Sequence, residues 1–358
     1  MTAQRKDDHV QHAVDQQRRI GGDSEFDDVR FVHHALAGIN QPDVCLATTF
    51  AGISLPTPLY INAMTGGSRN TQRINAGLAI AARETGVAIA SGSVSAYFKD
   101  PSCAETYRVI RAENPNGFVL ANVNATTSVE DALRAVSLLD ANALQIHLNI
   151  AQETVMPEGD RSFGGWAAQI ERIVSAVDVP VIVKEVGFGL SRETLIVLKE
   201  LGVEIADVGG RGGTNFIRIE DQRRETRAFD YLTHWGQSTP ACLLEAQGTG
   251  ITVLASGGIR HPLDVARSLA LGASAVGISG AFLKTLVDDG VPALIAQIST
   301  WLEQLTALQT MLGARLPRDL AQCDLTITGS LRSYCIDRGI DLSSLAHRSS
   351  RTGVRRES

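Results

Sequence analysis

Ile251-Thr252-Val253-Leu254-Ala255-Ser256-Gly257-Gly258-Ile259-Arg260 reads as a short apolar strand that runs straight into a glycine turn, with a helix opening at Pro262. After Leu271-Gly272-Ala273 the pattern repeats. The run Ser274–Ile278 ends in Ser279-Gly280-Ala281, again a strand followed by small residues and a helix start. Two strands joined through a helix pair in parallel. Glycine turns that lead into helix N-termini also gather backbone N–H groups suited to a phosphate.

The same unit recurs upstream. Apolar runs at Leu59–Ala63, Val87–Ala90, Phe118–Asn122, Ala143–Leu148, Pro180–Val183 and Glu204–Val208 are each followed by a polar or glycine-rich turn and a helical stretch, which brings the count to eight. Continuous apolar runs suit strands buried on both faces. A doubly wound open sheet alternates in the same way, but eight evenly spaced units with polar ends favour a closed (β/α)8 TIM barrel. The expected layout is an N-terminal extension over residues 1–57, a barrel over 58–318 and a C-terminal segment over 319–358. An insertion after the sixth strand covers residues 214–238 and carries Glu220, Arg223, Arg224, Trp235 and Gly236. Loops of that length often cover a barrel's mouth. Leu294, Ile298, Trp301, Leu305, Leu308 and Leu312 fall on one helical stripe, the pattern of an eighth barrel helix packing on the sheet. From His347 onward, Arg348, Arg351, Arg355 and Arg356 stand among almost no apolar residues, which predicts a disordered tail.

Composition narrows the function classes. The chain has 358 residues, 44% of them hydrophobic, and a net charge of −6, which argues against a duplex-binding surface. A small-molecule partner is expected. Cys45, Cys103, Cys242, Cys323 and Cys335 are scattered without metal-ligand spacing and read as reduced thiols of a cytoplasmic protein. The first thirty residues lack the apolar core of a signal peptide, and no stretch has the length of a membrane span.

The stretch Asp207-Val208-Gly209-Gly210-Arg211-Gly212-Gly213-Thr214-Asn215-Phe216 strips the end of the sixth strand of side chains, as if a ligand lay against bare backbone. Other polar groups follow the remaining strands. They are Met64-Thr65-Gly66-Gly67, Ser91-Gly92-Ser93, Asn122 and Asn124, His147 with Asn149, Gln152 and Glu153, and Lys184. Taken singly, His147 in an apolar strand is commonly a hydrogen-bonded core histidine, and Glu153 a surface carboxylate. Lys184 is harder to dismiss, because Glu185 should point to the opposite face and the ammonium would be buried without an anion. At the N-terminus, Arg5-Lys6-Asp7-Asp8-His9 is by itself a mixed charge run, although its cations suit phosphate oxygens. If these groups share one mouth, Lys184 and Gly258 must line the same cavity.

Taken together, the N-terminal pentad, Ala63-Met64-Thr65-Gly66-Gly67, Ser91-Gly92-Ser93, Gln145-Ile146-His147-Leu148-Asn149 with Gln152-Glu153, Lys184-Glu185-Val186-Gly187, residues 207–216, Trp235-Gly236 and Ser256-Gly257-Gly258-Ile259-Arg260 resemble the type 2 isopentenyl-diphosphate isomerases. The pentad combined with His-Leu-Asn and Gln-Glu is the specific part, and Asp8 stands where glutamate is common. The resemblance implies interconversion of isopentenyl and dimethylallyl diphosphate in isoprenoid biosynthesis by a 1,3-proton shift on reduced FMN. Magnesium and NADPH, or another reductant, accompany it. It implies that Ala63, Met64, Thr65, Ser93, Asn122, Lys184 and Thr214 hold the flavin ring and ribityl chain. Gly257, Gly258, Arg260, Gly280 and Ala281 would take its phosphate, and Glu153 the metal. Arg5, Lys6, His9 and Ser93 would bind substrate, with His147, Asn149 and Gln152 at the chemistry and Gln152 nearest to it. Whether the flavin or Gln152 transfers the proton is left open. The start of the chain is expected to be mobile and to close over substrate, in a homo-oligomer of four or eight chains. An FMN-dependent hydroxy-acid oxidase is the alternative, but the place of its histidine base reads Val208-Gly209-Gly210-Arg211. A noncatalytic flavin-binding protein is a second one.

Overall fold

The computed structural model describes residues 2–18, 24–63, 65–224 and 226–351, with backbone alone at residues 2–5, 350 and 351. Eight parallel strands close into a barrel: β1 (Leu59–Ile61), β2 (Ala88–Ala90), β3 (Val119–Asn124), β4 (Ala143–Leu148), β5 (Val181–Glu185), β6 (Ile205–Asp207), β7 (Thr252–Ser256) and β8 (Val276–Ile278). Each pairs with its successor in the chain and β8 closes onto β1 through Gly277↔Tyr60. All eight expected runs contain a strand. β5 runs past the expected end, so Lys184 and Glu185 are strand residues facing opposite sides of the wall.

The barrel interior is layered by polarity. Its lower layer is apolar, with Tyr60, Ala88, Leu120, Ile182, Ile205 and Leu254 in one buried cluster. One residue pair further along the strands, register sets Asn122 beside Gln145, His147 beside Lys184, and Lys184 beside Asp207. Polar side chains therefore fill the end where the strands finish. The lower end is stoppered by a hairpin from the N-terminal extension, Thr48–Phe50 against Ile53–Leu55, whose Phe50, Ile53 and Leu55 join the apolar layer. Ala51 and Gly52 at its tip both take positive φ, which matches the twist of the strands they join.

Outside the wall, helix Arg69–Thr85 starts on a Ser68–Thr71 capping box and stops on left-handed Gly86. Helix Val291–Leu312 buries Leu294, Ile298, Trp301 and Leu305, which carries most of the expected stripe. Its main neighbours are helices Arg69–Thr85 and Pro262–Ala270, which follow β1 and β7, so it takes the eighth place in the ring, and its stripe shares a core cluster with Leu59, Val276 and Ile278 of the wall. The C-terminal segment is not independent of the N-terminal one: Leu325–Ile327 pairs antiparallel with Val29–Phe31. The tail expected to be disordered from His347 is helical as far as Arg351. Arg348 donates to the Ala270 carbonyl at 2.6 Å and Ser349 Oγ to Asp324 at 2.6 Å. Residues 352–358, with Arg355 and Arg356, lie outside the described residues. No helix among the described residues is long and apolar enough to cross a membrane.

Candidate active site

A cavity of about 850 Å³ opens where the strands end. Lys184 and Gly258 both line it, as the sequence reading requires. Ala63 after β1, Ser93 after β2, Asn122 on β3, and His147 and Asn149 on or after β4 form one side. Gln152 and Glu153 come from helix Ile150–Val155, and Thr214 from the glycine turn after β6. Gly257, Gly258 and Arg260 follow β7, while Gly280 and Ala281 begin the helix Gly280–Asp289 after β8. Lys6 and His9 reach the same cavity from helix Thr2–Arg18, which is docked on Gly280–Asp289. Thr65 is buried behind this wall, its carbonyl accepting from the Gly92 N–H at 3.2 Å. Met64 and the side chain of Arg5 lie outside the described residues.

Lys184 is 6% exposed and donates through Nζ to the Glu185 carbonyl at 2.6 Å. Burial lowers its pKa, against the pull of Asp207 and Glu185. An ammonium in that position gains most from an anionic group at the cavity. Glu185 itself turns away and accepts the backbone N–H groups of Val186 and Gly187 at 2.7 Å, pinning the turn beyond β5.

The insertion after β6 supplies a residue behind the cavity wall to which the sequence alone assigned no role. Glu220 is fully buried, 3.0 Å from His9 Nε2, accepts from Gln152 Nε2 at 2.8 Å and pairs with Arg223. Burial pushes its carboxyl up, but His9, Gln152 and Arg223 outweigh that and hold it at about 2. Gln152 is clamped from the other side by Asn149 Nδ2 at 3.3 Å. Its amide therefore has one orientation. Glu153 is steadied by Asn149 Nδ2 at 2.9 Å on one oxygen and by the Asp160 N–H at 2.8 Å on the other. Among the described residues no three His, Cys, Asp or Glu side chains form a metal cluster, and Glu153 alone suits an ion such as magnesium that is held by one or two carboxylates with phosphate oxygens and water. His147 is neutral at ordinary pH, since burial, then Lys184 and Lys6, lower it to about 3.

The turns after β6 and β7 do more than face the cavity. The glycines after β6 serve chain packing as well as any ligand: a Cβ on Gly257 would overlap the Gly210 carbonyl oxygen, where the turns after β6 and β7 meet backbone to backbone. Arg260 does not aim a free charge into the cavity. Its Nη1 and Nη2 grip Asp27 at 2.8 and 2.7 Å and its Nε grips Asp264 at 2.8 Å, so the turn offers the cavity backbone more than that cation.

The cavity fits an FMN-sized group on three counts. Its wall is lined with glycine after β6 and β7, a helix begins at Gly280 where a phosphate could lie, and the hydroxyl of Thr214, which lines the cavity, is buried without a hydrogen-bond partner among the described residues. A closed parallel barrel with such a mouth defines a flavin-binding α/β barrel enzyme, and a family model described as FMN-dependent dehydrogenase matches residues 112–326. Among solved structures, a mandelate oxidase superposes with a TM-score of 0.61 at 17% identity, covering 88% of this chain and 90% of that one. That likeness is one of fold. Full-length relatives say more: the isopentenyl-diphosphate delta-isomerase of Kitasatospora griseola is 68% identical over 99% of this chain and 98% of that protein. The enzyme of the same name from Streptomyces sp. (strain CL190) is 66% identical over 98% and 96%. The chain belongs to the isopentenyl-diphosphate delta-isomerase family.

Proposed function

We propose that this chain interconverts isopentenyl and dimethylallyl diphosphate by a 1,3-proton shift, with reduced FMN in the barrel mouth, magnesium on Glu153 and NADPH or another reductant keeping the flavin reduced. The observation that carries the reading is the convergence on one cavity of a buried Lys184, of Asn149 and Gln152 with Glu220 behind them, and of Lys6 and His9 from the N-terminal helix. When bound, reduced FMN would supply an electron-rich ring able to stabilise positive charge developing on the alkene. Lys184 holds that ring's negative charge. Lys6, His9 and Arg5 take the diphosphate, Glu153 holds the metal against it, and Gln152 lies nearest the reacting carbons with its amide oriented by Glu220. The N-terminal helix excludes water once substrate is seated. The working enzyme is a cytoplasmic homo-oligomer.

Purified protein should be yellow, and isomerisation should require anaerobic reduction of the flavin by dithionite or NADPH. Equal turnover in air without reductant would refute the mechanism. Glu153→Gln should remove magnesium stimulation together with activity, and normal rates at low magnesium would overturn the metal assignment. Deleting residues 1–9 should raise KM for the diphosphate by at least about tenfold, since each charge-assisted bond lost is worth roughly 1.5–3 kcal/mol. FMN should stay bound in that variant; loss of flavin with an unchanged KM would contradict the role given to the segment.

A further inference from the structure

A run of hydrogen bonds crosses the polar layer of the barrel and joins four strands. Asn62 Nδ2 donates to Asp207 Oδ2 at 2.8 Å, Gln145 Nε2 to Asn62 Oδ1 at 3.3 Å, and Asn122 Nδ2 to Gln145 Oε1 at 3.1 Å. At the far end His147 Nδ1 meets Asn122 Oδ1 at 2.9 Å. The direction of this run is fixed at its origin by two groups that cannot be reversed. Asp207 receives Tyr60 Oη at 2.8 Å, Ser256 Oγ at 2.6 Å and the Gly209 N–H at 3.2 Å besides Asn62, so donors surround its carboxylate. The Ala63 N–H, a backbone donor, points at Asn62 Oδ1 at 2.8 Å. Asn62 can thus stand only one way round. Turning Gln145 or Asn122 would then set carbonyl against carbonyl or N–H against N–H inside a buried layer, where an unmade bond is not replaced by water.

We propose that Asn62, Gln145 and Asn122 form a one-way amide relay, anchored at Asp207, that places the proton of neutral His147 on Nδ1 and leaves Nε2 as a lone-pair acceptor. Asn122 Oδ1 can only accept, so the ring nitrogen beside it must be the donor. Phosphate oxygens are acceptors too. A substrate oxygen that reaches His147 through the cavity therefore meets the lone pair on Nε2 and needs a proton between them. That last statement rests on the isomerase reading; the tautomer does not. The charges facing His147 are Lys184 from β5 and Lys6 from the N-terminal helix, both of which disfavour a resting imidazolium. The relay makes Gln145 a positioning residue, fully buried and away from the cavity lining.

The test is a ¹⁵N spectrum of the FMN-loaded protein labelled at histidine, with the His147 signals assigned by their loss in His147→Gln. At neutral pH the proton-bearing signal should belong to Nδ1 and the unprotonated one to Nε2. The reverse pattern, with the proton on Nε2 and Nδ1 bare, would overturn the proposal. Gln145→Met keeps the volume but cuts the relay. It should replace the single tautomer by a mixture and lower kcat/KM for substrate several-fold, with the protein still folded and yellow. An unaltered spectrum in a folded, yellow Gln145→Met protein would show that the relay does not set the tautomer. Because the spectra are taken without substrate, a wrong substrate assignment appears only in the turnover assay.

Discussion

Glu220→Gln should lower kcat by on the order of 10²-fold, the scale expected when a group at the chemistry is misplaced by about 1 Å, while the protein stays folded and yellow. Glutamine has the same shape, so packing is kept. What changes is the charge and the acceptor pattern: Glu220 faces donors from Gln152, His9 and Arg223, and an amide nitrogen in place of one oxygen must oppose at least one of them. Gln152 then loses its single orientation. The stability effect is smaller, on the order of 1–3 kcal/mol for a buried bond left unmade, and KM for the diphosphate should rise through looser seating of His9. The pH behaviour follows from the sign of the shift. With its carboxyl held down to about 2, Glu220 is charged throughout the working range, and the stability its partners provide is present above the ordinary carboxyl pKa and lost only as pH falls through about 2. Wild-type protein should therefore show no rate limb from Glu220 near neutrality. Steady-state rates with reduced flavin test this, and a variant that keeps more than half of wild-type kcat would remove Glu220 from the chemistry.

Gly257→Ala should abolish stable FMN binding. Gly257 sits at φ +92, where an alanine is strained by about 1–2 kcal/mol, yet a protein of ordinary stability tolerates that much. The decisive effect is steric. The added Cβ would overlap the Gly210 carbonyl oxygen, which belongs to rigid backbone, so the turns after β6 and β7 must move apart. Both turns line the cavity, and their separation misplaces Gly258 and Thr214 together. Flavin absorbance per chain should fall to near zero, with Tm lower by on the order of 5 °C. A fully loaded Gly257→Ala protein would show that the turns yield elsewhere.

Much of this architecture was legible because its signals are local. Each barrel strand is a short apolar run ended by polar or glycine residues, and eight such runs admit few topologies. The mouth was legible for the same reason: residues that finish strands of a closed parallel barrel must converge, so Lys184, Gln152 and Gly258 could be placed together without a structure. Glu220 escaped because nothing in its own stretch sets it apart from a surface carboxylate. Its partners lie 68 residues away at Gln152 and 211 away at His9, and only folding brings them within 3.0 Å. The partners of Arg260 are mixed: Asp264 is four residues away in the sequence, whereas Asp27 belongs to an extension whose docking no periodicity announces.

Strand order, parallel sense and the polar rim thus belong to the sequence by itself, since period, length and turn chemistry are properties of consecutive residues. The hairpin that stoppers the barrel, the pairing of Val29–Phe31 with Leu325–Ile327, the amide relay behind His147, the hold of Glu220 on Gln152 and His9 and that of Arg260 on Asp27 were decided only in three dimensions. Each depends on the distance between groups far apart in the chain, and that distance is set by how the whole wall closes.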